Sequence, residues 1–248
     1  LLNSVYTCCA KNIHFLDKIV TIYLLSKENN LEKIPIGYDI ATKKETYYNF
    51  KIPYIPIVTR GMNAMRMDFI TSIMDLLSKV NHTEIRIVDF VNAITKKENV
   101  VCYKTDFDRA MMEIHNEVLQ NKNTEKDYYY VFLGVGSLRK YLSSNGQQIL
   151  NHLFANLSNV INVHFIFVDT YDSYKNLQLE IWYQSNINPL YGIWLGDDVG
   201  SQLAISIPNL TMEDRKLSFP YMAFAVENGN YKVFKHVVQK KEDDTREE

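Results

Sequence analysis

Residues 59 to 66, Thr-Arg-Gly-Met-Asn-Ala-Met-Arg, separate an apolar run (Ile55, Ile57, Val58) from a long stretch of helical spacing. This is the outline of a loop that wraps a phosphate: a strand end, a short turn with a glycine, and a helix amino terminus whose free N–H groups and dipole favour an anion. A working nucleotide loop, G-x-x-x-x-G-K-[ST], also needs a lysine for the β and γ oxygens and a hydroxyl for magnesium. In the register that starts at Thr59, the second glycine is Ala64, the lysine Met65 and the hydroxyl Arg66. One residue later those places fall to Met65, Arg66 and Met67. Neither register has the glycine and lysine together. Thr59, Arg60, Gly61, Met62, Asn63, Ala64, Met65 and Arg66 are therefore expected to form a degenerate loop, with methionine side chains where the phosphates would lie.

The partner device is an apolar strand that ends in acids, one to orient magnesium and one to activate water. The run "YYYVFLGVGSL" supplies the strand but has Gly134 and Val135 at those positions. Two halves of one catalytic apparatus fail together, which fits a nucleotide fold that has lost its site. An α/β domain that never bound nucleotide is the other reading.

No second chemistry stands out. The histidines at 14, 82, 115, 152, 164 and 236 are dispersed in sequence without an H-E-x-x-H pair, so no metal site is expected. Cys8, Cys9 and Cys102 have neither metal spacing nor a resolving partner, and a reducing compartment is the simpler setting. No serine lies in G-x-S-x-G. The acid pairs at 106–108 and 197–198 read as a helix start and a turn.

The elements that must position the loop follow from periodicity. Ile13, Leu16, Ile19, Val20, Tyr23 and Leu24 predict an amphipathic helix from about Lys11 to Asn29. "IPIGYDI" and "TYYNFKIPYIPIV" read as strands whose prolines suit sheet edges. Phe69, Ile70, Ile73, Met74, Leu76, Leu77 and Val80 give the helix after the loop a wide apolar face that suits packing on a sheet. "EIRIVDF" and "VVCY" read as strands, and Thr105 with Asp108 as a capping box ahead of a helix through Phe107, Met111, Ile114 and Val118. "YYYVFLG" and "VHFIFV" are continuous apolar strands of the kind covered on both faces. Helices through Leu150 and Leu177 alternate with them, which points to an α/β sheet with crossover helices. "GIWLG", "QLAISI" and "YMAFAVENGNYKVFKHV" read as strands, with Asn228-Gly229 as a two-residue hairpin turn.

Composition bounds what the chain can do. Its 248 residues are 46% hydrophobic and 23% charged, with a formal charge of -2, so no basic stripe is available to grip a phosphodiester backbone and nucleic acid is not expected as a partner. No apolar run reaches the roughly 18 residues that cross a bilayer, so direct membrane contact is not expected. The chain starts at Leu1 and reads as a piece of a longer protein that ends in a charged tail. Seventeen tyrosines and twelve phenylalanines suit a surface that grips another protein, although core strands absorb many of them.

Taken in order, "IPIGYDIATKKETYYNF", "IPIVTRGMNAMRMDFITSIMDLL", "IRIVDF", "YYYVFLG", "NVHFIFV", "YGIWLGDDVGSQLAISI" and "FPYMAFAVENGNYKVFKHV" resemble the FtsK/SpoIIIE ATPase modules, and most of all the carboxyl-terminal module of EssC-type motors of type VII secretion. The resemblance covers about residues 32–238, preceded by an amino-terminal helix and linker (1–31) and followed by the tail (239–248). It implies a P-loop NTPase-like fold of the RecA/FtsK kind, a mostly parallel sheet flanked by helices, with a β-rich carboxyl-terminal extension. ATP and magnesium serve the family, but none is expected here because the defining residues are missing. The resemblance further implies a cytoplasmic domain of a membrane-anchored, hexameric motor, partnered by neighbouring ATPase modules and by secreted substrates of the WXG100 or LXG type. Two alternatives stay open: a weak ATPase completed in an assembled ring, and a DNA-translocase module.

Overall fold

The structure, a computed structural model, describes residues 30–94, 100–121, 124–155 and 160–238, together with Val20, Thr21, Leu25 and Leu157. In chain order the elements are β1 (Val20–Thr21), a 3-10 turn (Leu31–Lys33), β2 (Ile34–Asp39), β3 (Glu45–Tyr48), β4 (Tyr54–Thr59), α1 (Ala64–Ser78), β5 (Thr83–Asp89), β6 (Val101–Tyr103) and α2 (Phe107–Gln120). There follow β7 (Asp127–Leu133), α3 (Leu138–Tyr141), α4 (Ser144–Ala155), β8 (Val163–Thr170), α5 (Tyr171–Leu177), α6 (Ile181–Asn186), β9 (Gly192–Leu195), α7 (Met212–Arg215), β10 (Met222–Glu227) and β11 (Asn230–Val238).

These strands join in one sheet in the order β3-β2-β11-β10-β9-β4-β8-β7-β5-β6, with β1 beside β11. From β9 to β6 the neighbours are parallel. From β9 to β3 they are antiparallel. The fold is thus the α/β one expected, and the β-rich carboxyl end continues the same sheet. Asn228 and Gly229 both have positive φ and close the β10–β11 hairpin, as the turn requires.

The strand β7 explains why the sheet is covered twice. Tyr129, Val131 and Leu133 pack with α1 residues Phe69, Ile70, Ile73, Met74 and Leu77 on one face. Tyr128, Tyr130 and Phe132 pack on the other with Ala110, Met111 and Ile114 of α2, Leu150, Leu153 and Phe154 of α4, and Trp182 of α6. A period of two along a fully apolar strand feeds both cores.

Four sequence expectations change. The helix expected over 11–29 lies largely outside the described residues, and at Val20 and Thr21 the chain is a strand paired with Val237 and Val238. Strand β4, with Pro53 just before it and Pro56 within it, is central rather than at an edge. Its pairing with β9 begins only at Ile57, so Pro56 sits where that ladder has not yet started. The capping box does not form: Asp106 occupies the N-cap in a left-handed conformation (φ 50°) without a side-chain cap, and Asp108 accepts instead from the Ser143 amide at 3.0 Å. "QLAISI" forms no strand, because the Gln202 side chain both donates to the Ile205 carbonyl and accepts from its amide, each at 2.8 Å, replacing a ladder with a local clamp.

Candidate functional site

The connections set where a crevice opens. From β4 the chain crosses by α1 to β5 on one side, whereas from β8, the neighbour of β4, it crosses by α5 and α6 to β9 on the other side. Right-handed crossovers in opposite directions place their helices on opposite faces and leave a gap at the carboxyl ends of the strands where they part. The loop from Thr59 to Asn63 lies at that gap.

After it α1 begins at Ala64 with Asn63 as its N-cap; the Asn63 side chain accepts from the Arg66 amide at 3.0 Å. Thr59 is fully buried, and its hydroxyl donates to the Gly61 carbonyl at 3.0 Å while accepting from the Gly61 amide at 3.3 Å. The Arg66 guanidinium reaches back across the loop and donates to the same carbonyl at 2.5 Å. Its other end lies against Gly196, where a Cβ would come within 2.8 Å of it. Burial pushes the Arg66 pKa down, Asp197 opposes that shift, and Arg60 adds to it. Arg60 is exposed and pairs with Asp198 at 3.4 Å across the gap. A guanidinium therefore lies across the loop where methionines were expected; Met62 and Met67 are partly buried against the α1 core below.

At the end of β7, Gly134 is left-handed (φ 77°), and a Cβ there would lie 2.4 Å from Val91 Cγ1. Its amide donates to the Val168 carbonyl of β8 at 2.8 Å. Val135 is fully buried. Gly136 follows with Ser173 against it, a Cβ there meeting the Ser173 carbonyl at 2.7 Å. The two sequence-identified segments thus stand at the same edge of the sheet, separated by β8.

Sequence reasoning passed over two acids that also end apolar strands there, Asp89 on β5 and Asp169 on β8. The signal was present in "IRIVD" and "FIFVD". Both are buried and both act on backbone amides: Asp89 accepts from Val91, Ala93 and Ile94, and Asp169 from Gly136 at 2.7 Å and Thr170 at 2.6 Å. Burial raises the Asp169 pKa, and these amide bonds pull it back. Each carboxylate is thereby a clamp for the loop that follows β5 or β7. The acid pair at 197–198, read from the sequence as a turn, does open a turn, with Asp198 left-handed at φ 57°. It also supplies the counter-charges facing Arg60 and Arg66.

A separate cavity of about 330 Å³ lies on the face covered by α4, α5 and α6, lined by Leu150, Leu177, Leu179 and Trp182 and by the ion pair of Arg139 with Glu180. Among the described residues no helix is long and apolar enough to cross a membrane, and no group of three or more His, Cys, Asp and Glu side chains could hold a metal.

A parallel sheet in the order β9-β4-β8-β7-β5, with a short loop from β4 into a helix at its switch point, is a fold shared with solved ATPase domains and with a conjugation coupling protein. The particular likeness is to type VII secretion ATPase domains. EssC (ATPases 2 and 3) from Geobacillus thermodenitrificans matches 90% of this chain and 45% of its own at a TM-score of 0.69 and 11% identity. Thermomonospora curvata EccC (ATPases 2 and 3), solved in complex with a signal sequence peptide, matches 90% and 44% at 0.66 and 13% identity. The pCW3 conjugation coupling protein TcpA, solved with ATPγS, matches 91% and 71% at 0.64 and 10% identity. The chain spans less than half the length of the EssC and EccC structures it matches. No protein-family model matches the sequence and no curated relative does, so the likeness is one of fold.

Proposed function

We propose that this chain is an ATPase-fold module of a type VII secretion motor that does not itself turn over nucleotide and serves in recognition of secreted substrates and control of neighbouring ATPase modules. The observation that carries the reading is Arg66 lying across the loop, bonded to the Gly61 carbonyl. A phosphate site needs amide N–H groups converging on an open concavity. Here the Gly61 amide is held by Thr59, a carbonyl receives the guanidinium, and no lysine or hydroxyl occupies positions 65 and 66. The residues present do not fit a magnesium triphosphate.

Titration of ATP by calorimetry, with and without magnesium, tests this. The expected result is no saturable binding in the micromolar range and no phosphate release above background. Magnesium-dependent micromolar affinity would instead support a weak ATP-binding module completed in a ring, which the exposed Arg60 at the loop favours as a second reading. Substrate recognition is tested separately by pull-down of small helical-hairpin secreted proteins of the WXG100 or LXG type on the purified chain, with retention expected. Duplex DNA at low salt is expected not to be retarded, given the net charge of -2.

A further inference from the structure

Helices α2 and α4 lie side by side over the same core, burying Ala110, Ile114 and Val118 from one and Leu150, Leu153 and Phe154 from the other. Near the start of each, the Asp108 carboxylate accepts from the Ser143 amide at 3.0 Å and crowds Gly146, where a Cβ would lie 2.1 Å from the carboxylate oxygen. Two turns further along α2 stands His115, and on the facing flank of α4 stands His152. His115 Nε2 and His152 Nδ1 are 2.9 Å apart, with the ring planes inclined at 50°. Other described histidines are placed differently: His82 is exposed on a turn, and His164 and His236 are buried and bonded to backbone carbonyls.

We propose that His115 and His152 form a surface site for one divalent transition-metal ion of the zinc, nickel or copper class. Imidazole nitrogen suits these ions rather than magnesium or calcium. Zinc–imidazole bonds are about 2.0–2.1 Å, so nitrogens 2.9 Å apart can share an ion at an angle of about 90°; widening to about 3.3 Å gives the tetrahedral angle, a change small enough for ring rotation. In the neutral pair one nitrogen donates its proton to the other. When one ring shifts to its second tautomer, both converging nitrogens present lone pairs. Among the described residues no third His, Cys, Asp or Glu joins the pair, so water completes the coordination. Core packing and the Asp108 clamp already hold the helices at the required distance, so little ordering is lost on binding. The ion then cross-links α2 to α4.

The test uses the full 248-residue chain with zinc chloride, and in parallel nickel chloride, in a non-chelating buffer at neutral pH. Calorimetry is expected to show one site of micromolar affinity containing these two residues, and zinc is expected to raise the Tm. H115Q and H152Q should each weaken that site at least about tenfold and abolish the Tm increase, by analogy with the cost of losing even an outer-shell partner. Circular dichroism should stay unchanged, and H82N should behave as the parent chain. As a readout that needs no variant, stoichiometric zinc should shift the imidazole signals of two histidines in a nitrogen-15 spectrum. Saturable binding that survives both glutamine variants, or none up to millimolar metal, overturns the proposal.

Discussion

The partly buried Arg66 and the buried His236 have measurable consequences. Arg66→Ala removes the guanidinium that donates to the Gly61 carbonyl. The loss of a partly buried charged hydrogen bond is expected to cost about 1–2 kcal/mol in urea unfolding, with faster amide exchange at Gly61 and Met62. His236 is buried, tilted against the Phe69 ring and edge-on to Tyr221. Burial chiefly, with Arg66 and Lys235 adding their charge, lowers its pKa from 6.5 to about 4, against the pull of its bond with the Val237 carbonyl. The unfolded chain therefore takes up this proton more readily than the folded one. The resulting stability is complete above about pH 6.5, is lost progressively as pH falls towards about 4, and is constant below that, with a total on the order of 3 kcal/mol. His236→Phe is expected to flatten that part of the Tm–pH profile; an unchanged difference from the parent between those limits would contradict the assignment.

At the level of elements, the end of β7 and the turn after it are set by contacts that leave no place for an acid. Gly134 needs a left-handed backbone and abuts Val91, and Val135 faces the core. Gly134→Asp, which restores an acid to the strand end, is expected to destabilise by about 2 kcal/mol or more through backbone strain and the clash. Val91→Ala in the same chain should recover only the steric part, because φ at residue 134 is unaffected. Equal stability of G134D and the parent in urea unfolding would show that the turn has room it is not seen to have. Asp89 and Asp169 carry a related lesson. A carboxylate at a strand end can serve loop backbone instead, on amides of its own following loop at Asp89 and on the Gly136 amide after the neighbouring strand at Asp169.

For the whole molecule, the loop after β4 and the end of β7 belong to different crossovers, with β8 between them in the sheet. Repairing one leaves the other as it is. The triple change Ala64→Gly, Met65→Lys and Arg66→Thr is therefore expected to yield no magnesium-dependent phosphate release above background, even where it restores some affinity for triphosphate. Robust turnover by that variant would show that acids from elsewhere, Asp169 being the nearest in the sheet, can take the missing role. The sheet itself should tolerate the change, since α1 keeps its buried face from Phe69 to Leu77.

Local sequence patterns were enough to place the parallel strands, the helices between them, the Asn228-Gly229 hairpin, and the loop between β4 and α1. Periodicity and turn chemistry act over a few residues, and those features need nothing more. Contacts between distant segments came only with the fold. The fold set Arg66 beside Asp197 and paired Arg60 with Asp198, kept proline-bearing β4 at the centre of the sheet, brought Asp169 to the Gly136 amide, and brought His115 to His152 across 37 residues of chain. Sheet register and helix packing decide such meetings, and no short window of sequence contains both partners.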